Sequence, residues 1–348
     1  MRVLAIESSC DETAAAIVED GRTLRSSVVA SQVAHHEATG GVVPEVASRQ
    51  HVAAIVPVVD RALAESDSRP TDIDLVAATN GPGLAGSLLV GLSAAKALAW
   101  AWNAPFLGVN HLVGHIYANW LGAQEPVLPA VCLVVSGGHT ELIWMEKHLS
   151  FTSLGRTRDD AAGEAFDKVA RILDLGYPGG PAIERTAATV DQSGAIVLPR
   201  AWLEGSWDFS FSGLKTAVMR LVAEEGPPPA LVARGFQDAV VEVLARKTVA
   251  AADTLGAKSI LLAGGVAANS ALRSAVREMS RRPCLAPSPP LCTDNAAMIA
   301  AAACFLARSG HSDDLSVDAF PSLDLPDARS LRDPPRVPRW RSLSVRRR

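Results

Sequence analysis

The sequence predicts an α/β fold of two duplicated lobes enclosing a cleft, and three observations carry that prediction. The stretch "VLAIESSCDETAAAIV" (Val3–Val18) reads as a strand, a small polar turn and a second strand, the pattern of a hairpin. "VCLVVSGGHTELIWM" (Val131–Met145) repeats that pattern roughly 130 residues later, with Ile6 matched to Val135 and Glu12 to Glu141. Behind each hairpin, strand-like and helix-like segments alternate, which builds sheets with helices on their faces. Lobes of this kind bind ligands in the crevice between them, and a nucleotide is the usual occupant.

In chain order, "DLVAAT" (Asp74–Thr79) and "APFLGV" (Ala104–Val109) are short and almost continuously apolar, so they read as buried strands. Between them "GSLLVGLSAAKALAWAW" (Gly86–Trp102) reads as a helix. Extended back to Ala85 it is the most apolar window of the chain, but Lys96 interrupts it. It is therefore expected inside the fold and not in a membrane. In the second half "ALVARGFQDAVVEVLARKTVAAADTLG" (Ala230–Gly256) predicts one or two helices, and "SILLAG" (Ser259–Gly264) predicts a strand. "NAAMIAAAACFLARSG" (Asn295–Gly310) predicts a helix near the end.

Composition narrows the function classes. With 348 residues, 48% hydrophobic and 20% charged, the chain is an ordinary globular protein with room for two domains. Cys10, Cys132, Cys284, Cys292 and Cys304 show no CxxC spacing. Such a set points to reduced thiols in the cytoplasm and away from a disulfide framework. The opening "MRVLAIESSCDE" turns acidic after a short apolar run, unlike a secretory leader. A net charge of −4 argues against nucleic acid as the sole partner. The charge is uneven, however: Arg329–Arg348 holds eight arginines and one acid, Asp333. That Pro-punctuated tail is expected to be disordered, serving either as a solubilising end or as an RNA-contacting arm.

Glycine motifs supply the next constraint. "GPGLAG" (Gly81–Gly86) fits GxGxxG, but a dinucleotide site needs an acid about 20 residues on, and no Asp or Glu lies between Gly81 and Glu125. No Lys-Ser/Thr follows the glycines either, which removes a Walker A loop. The motif is expected to form a tight turn and a close helix contact. "VVSGGHT" (Val134–Thr140) and "LLAGGVAANS" (Leu261–Ser270) place glycine pairs at strand ends, where bare N–H groups can approach an anion. "YPGGP" (Tyr177–Pro181) reads as a rigid turn with Glu184 behind it. Together the three point to a phosphate or nucleotide site.

In "NHLVGHIYAN" (Asn110–Asn119), His111 and His115 are four residues apart, which stacks them on one face of a helix. They are either structural or ligating. The HExxH metalloprotease motif would need Glu where Leu112 stands. A third ligand is available in "CTDNAAMIA", where Asp294 could equally cap the following helix. Two histidines and one carboxylate suit iron(II) or zinc.

The segments "IESSCDET", "GGVVPEVASRQHV", "NHLVGH", "VSGGHT", "DDAAGEAFDKVAR", "YPGGP", "FSFSGLKTAV", "AGGVAAN" and "CTDNAAM" occur in the order of one family. From Ile6 to Met298 the chain resembles the TsaD family, also called Gcp, in its bacterial form. The resemblance implies two lobes of the actin/hexokinase-like (ASKHA) type. One lobe would span 1–128 and the other 129–294, with a helix of about 295–325 packing back onto the first and the tail at 326–348. It implies transfer of threonylcarbamoyl from threonylcarbamoyl-AMP to N6 of adenosine 37 in tRNAs reading codons that begin with A. It places one divalent metal, iron(II) first and zinc second, on His111, His115 and Asp294. It places the acyl-adenylate on Val134, Val135, Ser136, Gly137 and Gly138, its adenosine on Asp167, Gly180 and Asn269, and its ribose on Glu184. It implies a paralogous TsaB-type subunit and a small TsaE-type ATPase as partners, and no membrane. It assigns no catalytic acid or base and leaves Asp11, Glu12 and Lys215 without a role. A metalloendopeptidase is the alternative, weakened by Leu112. An ATP-dependent sugar kinase or chaperone-like ATPase is a second, and has no evident use for a His/His/Asp site.

Overall fold

A computed structural model of the chain describes residues 1–37, 41–191, 196–325 and 337. The arginine-rich tail expected at 326–348 lies outside the described residues, apart from Val337.

Three antiparallel strands begin the chain: β1 (Arg2–Glu7), β2 (Glu12–Glu19) and β3 (Thr23–Ser31). The short α1 (Val33–Glu37) and the long α2 (Pro44–Glu65) lead to β4 (Leu75–Gly81), α3 (Ala85–Trp102) and β5 (Phe106–Asn110). The strands lie in the order β3-β2-β1-β4-β5, with β4 parallel to β1 and β5 parallel to β4. α4 (His111–Tyr117) leaves β5 with no intervening loop. A second meander comes next: β6 (Ala130–Val135), β7 (Thr140–Lys147) and β8 (Ser150–Arg156). Then come α5 (Ala162–Ile172), α6 (Gly179–Ala187), α7 (Ser212–Glu225) and α8 (Pro229–Leu255). β9 (Ser259–Ala263), α9 (Ser270–Met279) and β10 (Cys284–Leu285) complete this sheet. The last helices are α10 (Pro289–Cys292) and α11 (Ala296–Arg308).

The second sheet runs β8-β7-β6-β9-β10 with the same strand senses, so it repeats the first position for position. Corresponding strands start at Arg2 and Ala130 and at Glu12 and Thr140, an offset of 128 in both cases. Glu7 therefore corresponds to Val135, and Thr13 to Glu141. The match of Ile6 to Val135 read from the sequence is one residue out of frame. These central strands are covered on both faces, so their apolar runs are continuous and no alternation fixes the frame.

Helix packing follows from residue size. Ala296–Cys304 of α11 is buried throughout and lies across β1 and β2, where Ala5, Ala14 and Ala16 let the backbones approach. On the other face α2 and α3 set Ile55, Val58, Leu92 and Ala95 against Leu4, Ile6 and Ile17. α3 is long and apolar enough to cross a membrane, yet its Leu88, Leu92, Ala95 and Ala99 are buried in this packing. In the second half α8 is one uninterrupted helix, closed by Gly256 at φ +66°. Its Phe236 meets Phe166 of α5 edge-on, with ring centroids 5.1 Å apart.

Both rings are buried. Phe236→Ala is expected to cost about 3–5 kcal/mol of unfolding free energy, read by denaturant titration. An unchanged midpoint would show that this contact does not hold α8 to α5.

Candidate metal centre and nucleotide cavity

α4 begins where β5 ends because Asn110 caps it: its Oδ1 accepts from the amides of Leu112 (2.9 Å) and Val113 (3.2 Å). The cap fixes His111 at the first helical position and His115 one turn later on the same side. Between them Gly114 admits α11, since a Cβ there would stand 2.6 Å from Ile299 Cδ1. The approach brings Asp294, two residues before α11, to the histidines. Asp294 is not the cap of that helix. Asn295 is, accepting from the Met298 amide at 2.9 Å, and the Asp294 carboxylate is left to face the imidazoles.

The Nε2 atoms of His111 and His115 lie 3.1 Å apart, and Asp294 Oδ1 is 3.5 Å and 3.2 Å from them. Bonds of about 2.1 Å place neighbouring donors roughly 3.0 Å apart around an octahedral ion and 3.4 Å around a tetrahedral one. The three donors converge on such an ion, and they form a set that could hold one. The electrostatics agree. Burial opposes a charge on His111, but Asp294 and Glu7 outweigh it and raise the ring to about 10. Burial would raise Asp294 too, yet the facing imidazoles hold it well below the usual carboxylate range. The cluster thus attracts positive charge at its centre. His115 is lowered by burial, and its Nδ1 has no hydrogen-bond partner among the described residues.

Sequence reasoning missed Glu7. It is fully buried at the end of β1 and takes His111 Nδ1 at 3.0 Å, Thr79 Oγ1 at 2.6 Å and the Ser9 amide at 2.5 Å. A carboxylate behind a ligating imidazole fixes its tautomer and strengthens it as a donor. An acid closing an apolar strand was the available signal.

His111 and Asp294 open on a cavity of 590 Å³ whose lining also includes Ser9, Asp11, Ser136, Gly137, Gly138 and Asp167, with His115 buried behind them. A second cavity of 250 Å³ shares Gly137 and Asp167 and reaches Gly180, Glu184 and Asn269. Side chains at Gly137, Gly138 and Gly180 would meet no protein atom within 4 Å, so packing does not demand glycine there. The space they leave belongs to the cavities.

The other expected contacts are distributed less simply. Val134 and Val135 line neither cavity, because β6 is bonded on both edges and their side chains are buried. Asn269 lines the smaller cavity while capping α9 through Leu272 N and bonding Gln237. Glu184 accepts from the amide and hydroxyl of Ser270. Asp167 accepts from the Gly179 amide at 2.8 Å, so "YPGGP" opens α6 and is more than a turn. "GPGLAG" is the close contact expected: Gly83 packs on Ser9 and Gly86 on Ser48. Asp11 is raised by burial, and Glu12 is pushed up to about 7 by burial. Lys215 pairs with Asp160 at 3.3 Å.

Fold and site together define an ASKHA-type α/β protein with a three-donor cluster, fit to hold a cation, in its cleft. Solved structures agree on the fold. HypF from T. kodakarensis superposes with TM-score 0.62 at 14% identity, over 89% of this chain and 48% of its own. Component A of the Acidaminococcus fermentans (R)-2-hydroxyglutaryl-CoA dehydratase gives 0.55 at 15%, over 89% and 99%. A sequence model of the TsaD family, tRNA N6-adenosine threonylcarbamoyltransferase, matches residues 23–301. Relatives bearing that name are 54% identical in Thermomicrobium roseum, over 95% of this chain and 99% of theirs. In Symbiobacterium thermophilum the figures are 56%, 93% and 96%. The chain belongs to the TsaD family and is a transferase that modifies N6 of adenosine in tRNA. The metalloendopeptidase reading is not supported.

Asp294→Ala and His115→Ala are expected to lose bound metal, measured by elemental analysis of the purified variants. Glu7→Gln keeps all three donors and should weaken metal affinity about 10–100-fold. Full occupancy in Asp294→Ala would sink the triad.

Proposed function

We propose that this chain takes threonylcarbamoyl from threonylcarbamoyl-AMP and passes it to N6 of adenosine 37 in tRNAs reading codons that begin with A. AMP is released. The observation that carries this reading is that the His111–His115–Asp294 cluster reaches, through His111 and Asp294, the cavity that the Ser136–Gly138 turn lines. The adenosine of the donor occupies the 250 Å³ cavity, between the apolar Phe166 and Val266 and the polar Asp167, Glu184 and Asn269. Its phosphate lies against the bare backbone of Gly137 and Gly138, where amides reach an anion without adding bulk. The donor is a mixed anhydride and already activated, so the chain needs no nucleophilic side chain. Its residues hold the donor, align the amine and exclude water.

The metal is iron(II), with zinc as the alternative that the same donors accept; when bound it polarises oxygen and neutralises charge. We assign the first lobe to 1–128 and the second to 129–294, with 295–325 returning to the first. The chain works in the cytoplasm with a paralogous TsaB-type subunit and a small TsaE-type ATPase. Such an assembly can present the basic groove that a chain of net charge −4 lacks.

The test is reconstitution. Purified protein supplied with threonylcarbamoyl-AMP, unmodified tRNA and the two partners should yield threonylcarbamoyladenosine, detected by mass spectrometry of digested tRNA. If tRNA stays unmodified while protein substrates are cleaved, the reading is wrong.

A further inference from the structure

The metal-side cavity has a larger neighbour. A space of 910 Å³ lies beyond the turn of Pro82 and Gly83 and the pair Gly138 and His139, four residues that line both. Its outer wall combines Arg156 and Arg158, at and after the end of β8, with the segment Pro321–Asp324.

That segment is pinned in place. Phe320 N donates to Asn80 O (2.7 Å), Gly83 N to Pro321 O (3.1 Å) and Asn110 Nδ2 to Asp324 O (3.0 Å). A Cβ on Gly81, at φ +153°, would stand 2.1 Å from Phe320 O. The glycines of the "GPG" turn thus receive a strap of chain, and turn and strap together form a fixed rim between two cavities.

The chemistry of the larger cavity suits a nucleotide held from outside. Arg156 and Arg158 are 68% and 59% exposed, and they pair with Asp324 at 3.8 Å and Asp208 at 2.8 Å. The Arg156–Asp324 pair is exposed on both sides and contributes little. The Arg156 guanidinium can therefore exchange its carboxylate for a phosphate, which it grips through two parallel bonds, while Asp208, only 25% exposed, keeps Arg158 beside it. Leu112, Pro82 and Pro321 offer apolar surface for a base. An amine in RNA reaches an enclosed carbonyl only after its base leaves the stack. Two substrates meeting at one carbonyl also need separate ways in.

We propose that the 910 Å³ cavity is the acceptor site, where the unstacked adenosine of the tRNA enters between the strap and Arg156–Arg158 and meets the donor at His139. This rests on the transferase reading. His139 closes the Ser136 turn through its backbone amide and carbonyl, and the residue forms part of the window between the cavities. Burial, with help from the His111 and His115 rings, holds its imidazole below the usual histidine range.

The experiment measures transfer and tRNA binding in the assembly reconstituted with its partners, comparing Ser322→Trp and Arg156→Ala with the unsubstituted protein. Ser322 is exposed on the strap and lines the cavity, so the indole fills the space without disturbing the core. Each variant should raise KM for tRNA about tenfold, and Arg156→Ala should also reduce the salt slope of binding by about one. Metal content, and AMP binding by calorimetry, should not change. His139→Trp narrows the window and should lower single-turnover transfer at saturating tRNA while tRNA affinity holds. If the unsubstituted assembly modifies tRNA and both cavity variants keep its KM and salt slope, the acceptor site lies elsewhere. If the unsubstituted assembly makes no threonylcarbamoyladenosine, the transferase reading itself falls.

Discussion

A carboxylate with no exposed surface organises this molecule. Glu7 ends β1 inside the protein, and an unpaired buried charge would cost several kcal/mol. Thr79 at the end of β4, the Ser9 amide in the following turn and His111 at the start of α4 each supply a bond. Hydrogen bonds to a charged group contribute about 1.5–3 kcal/mol apiece, so three of them offset the burial. In doing so they tie two strand ends and a helix to one point. The orientation of His111, and with it the direction in which Nε2 looks, follows from that knot.

The duplication makes the knot easier to understand. At the corresponding position the second sheet carries Val135, which lies in an all-apolar strand and needs no polar partner. The turns that leave the two strands differ as well: β1 runs into Ser8, Ser9, Cys10 and Asp11, and β6 into Ser136, Gly137, Gly138 and His139. One copy of the hairpin thus supports the cation cluster, while the other leaves bare backbone facing the same cavity. Two copies of one supersecondary unit thus present different chemistry to the same cleft, acidic and hydroxyl side chains from one and bare backbone from the other.

Much of this was legible because local rules govern it. Turn residues marked the hairpins, the i, i+4 spacing put His111 and His115 on one face, and the missing acid after "GPGLAG" removed the dinucleotide reading. The unreadable parts depend on tertiary contacts. Asp294 and Asn295 are adjacent and both are good caps; only the direction in which α11 enters decides which one caps and which one turns to the histidines. Glu7 could not be singled out from sequence because its three partners are 2, 72 and 104 residues away. Val134 and Val135 belong to a motif that resembles a ligand-binding stretch, but both faces of β6 are covered, and the two side chains are buried in the cores on opposite sides of the sheet. Asn269 similarly combines lining a cavity with capping a helix.

The position of α11 has a consequence for how the molecule comes into being. Its alanines cover β1 and β2, yet they are made almost 300 residues after β1. A chain emerges N-terminal end first, at about 5–20 residues per second, so the first sheet spends tens of seconds with one face uncovered. Over the same interval the two histidines exist without their carboxylate. The His111–His115–Asp294 cluster is therefore assembled only when the late helix closes over the early sheet. A chain truncated before Asp294 would expose an apolar face and lack the carboxylate at once, so one event covers the sheet and completes the cluster.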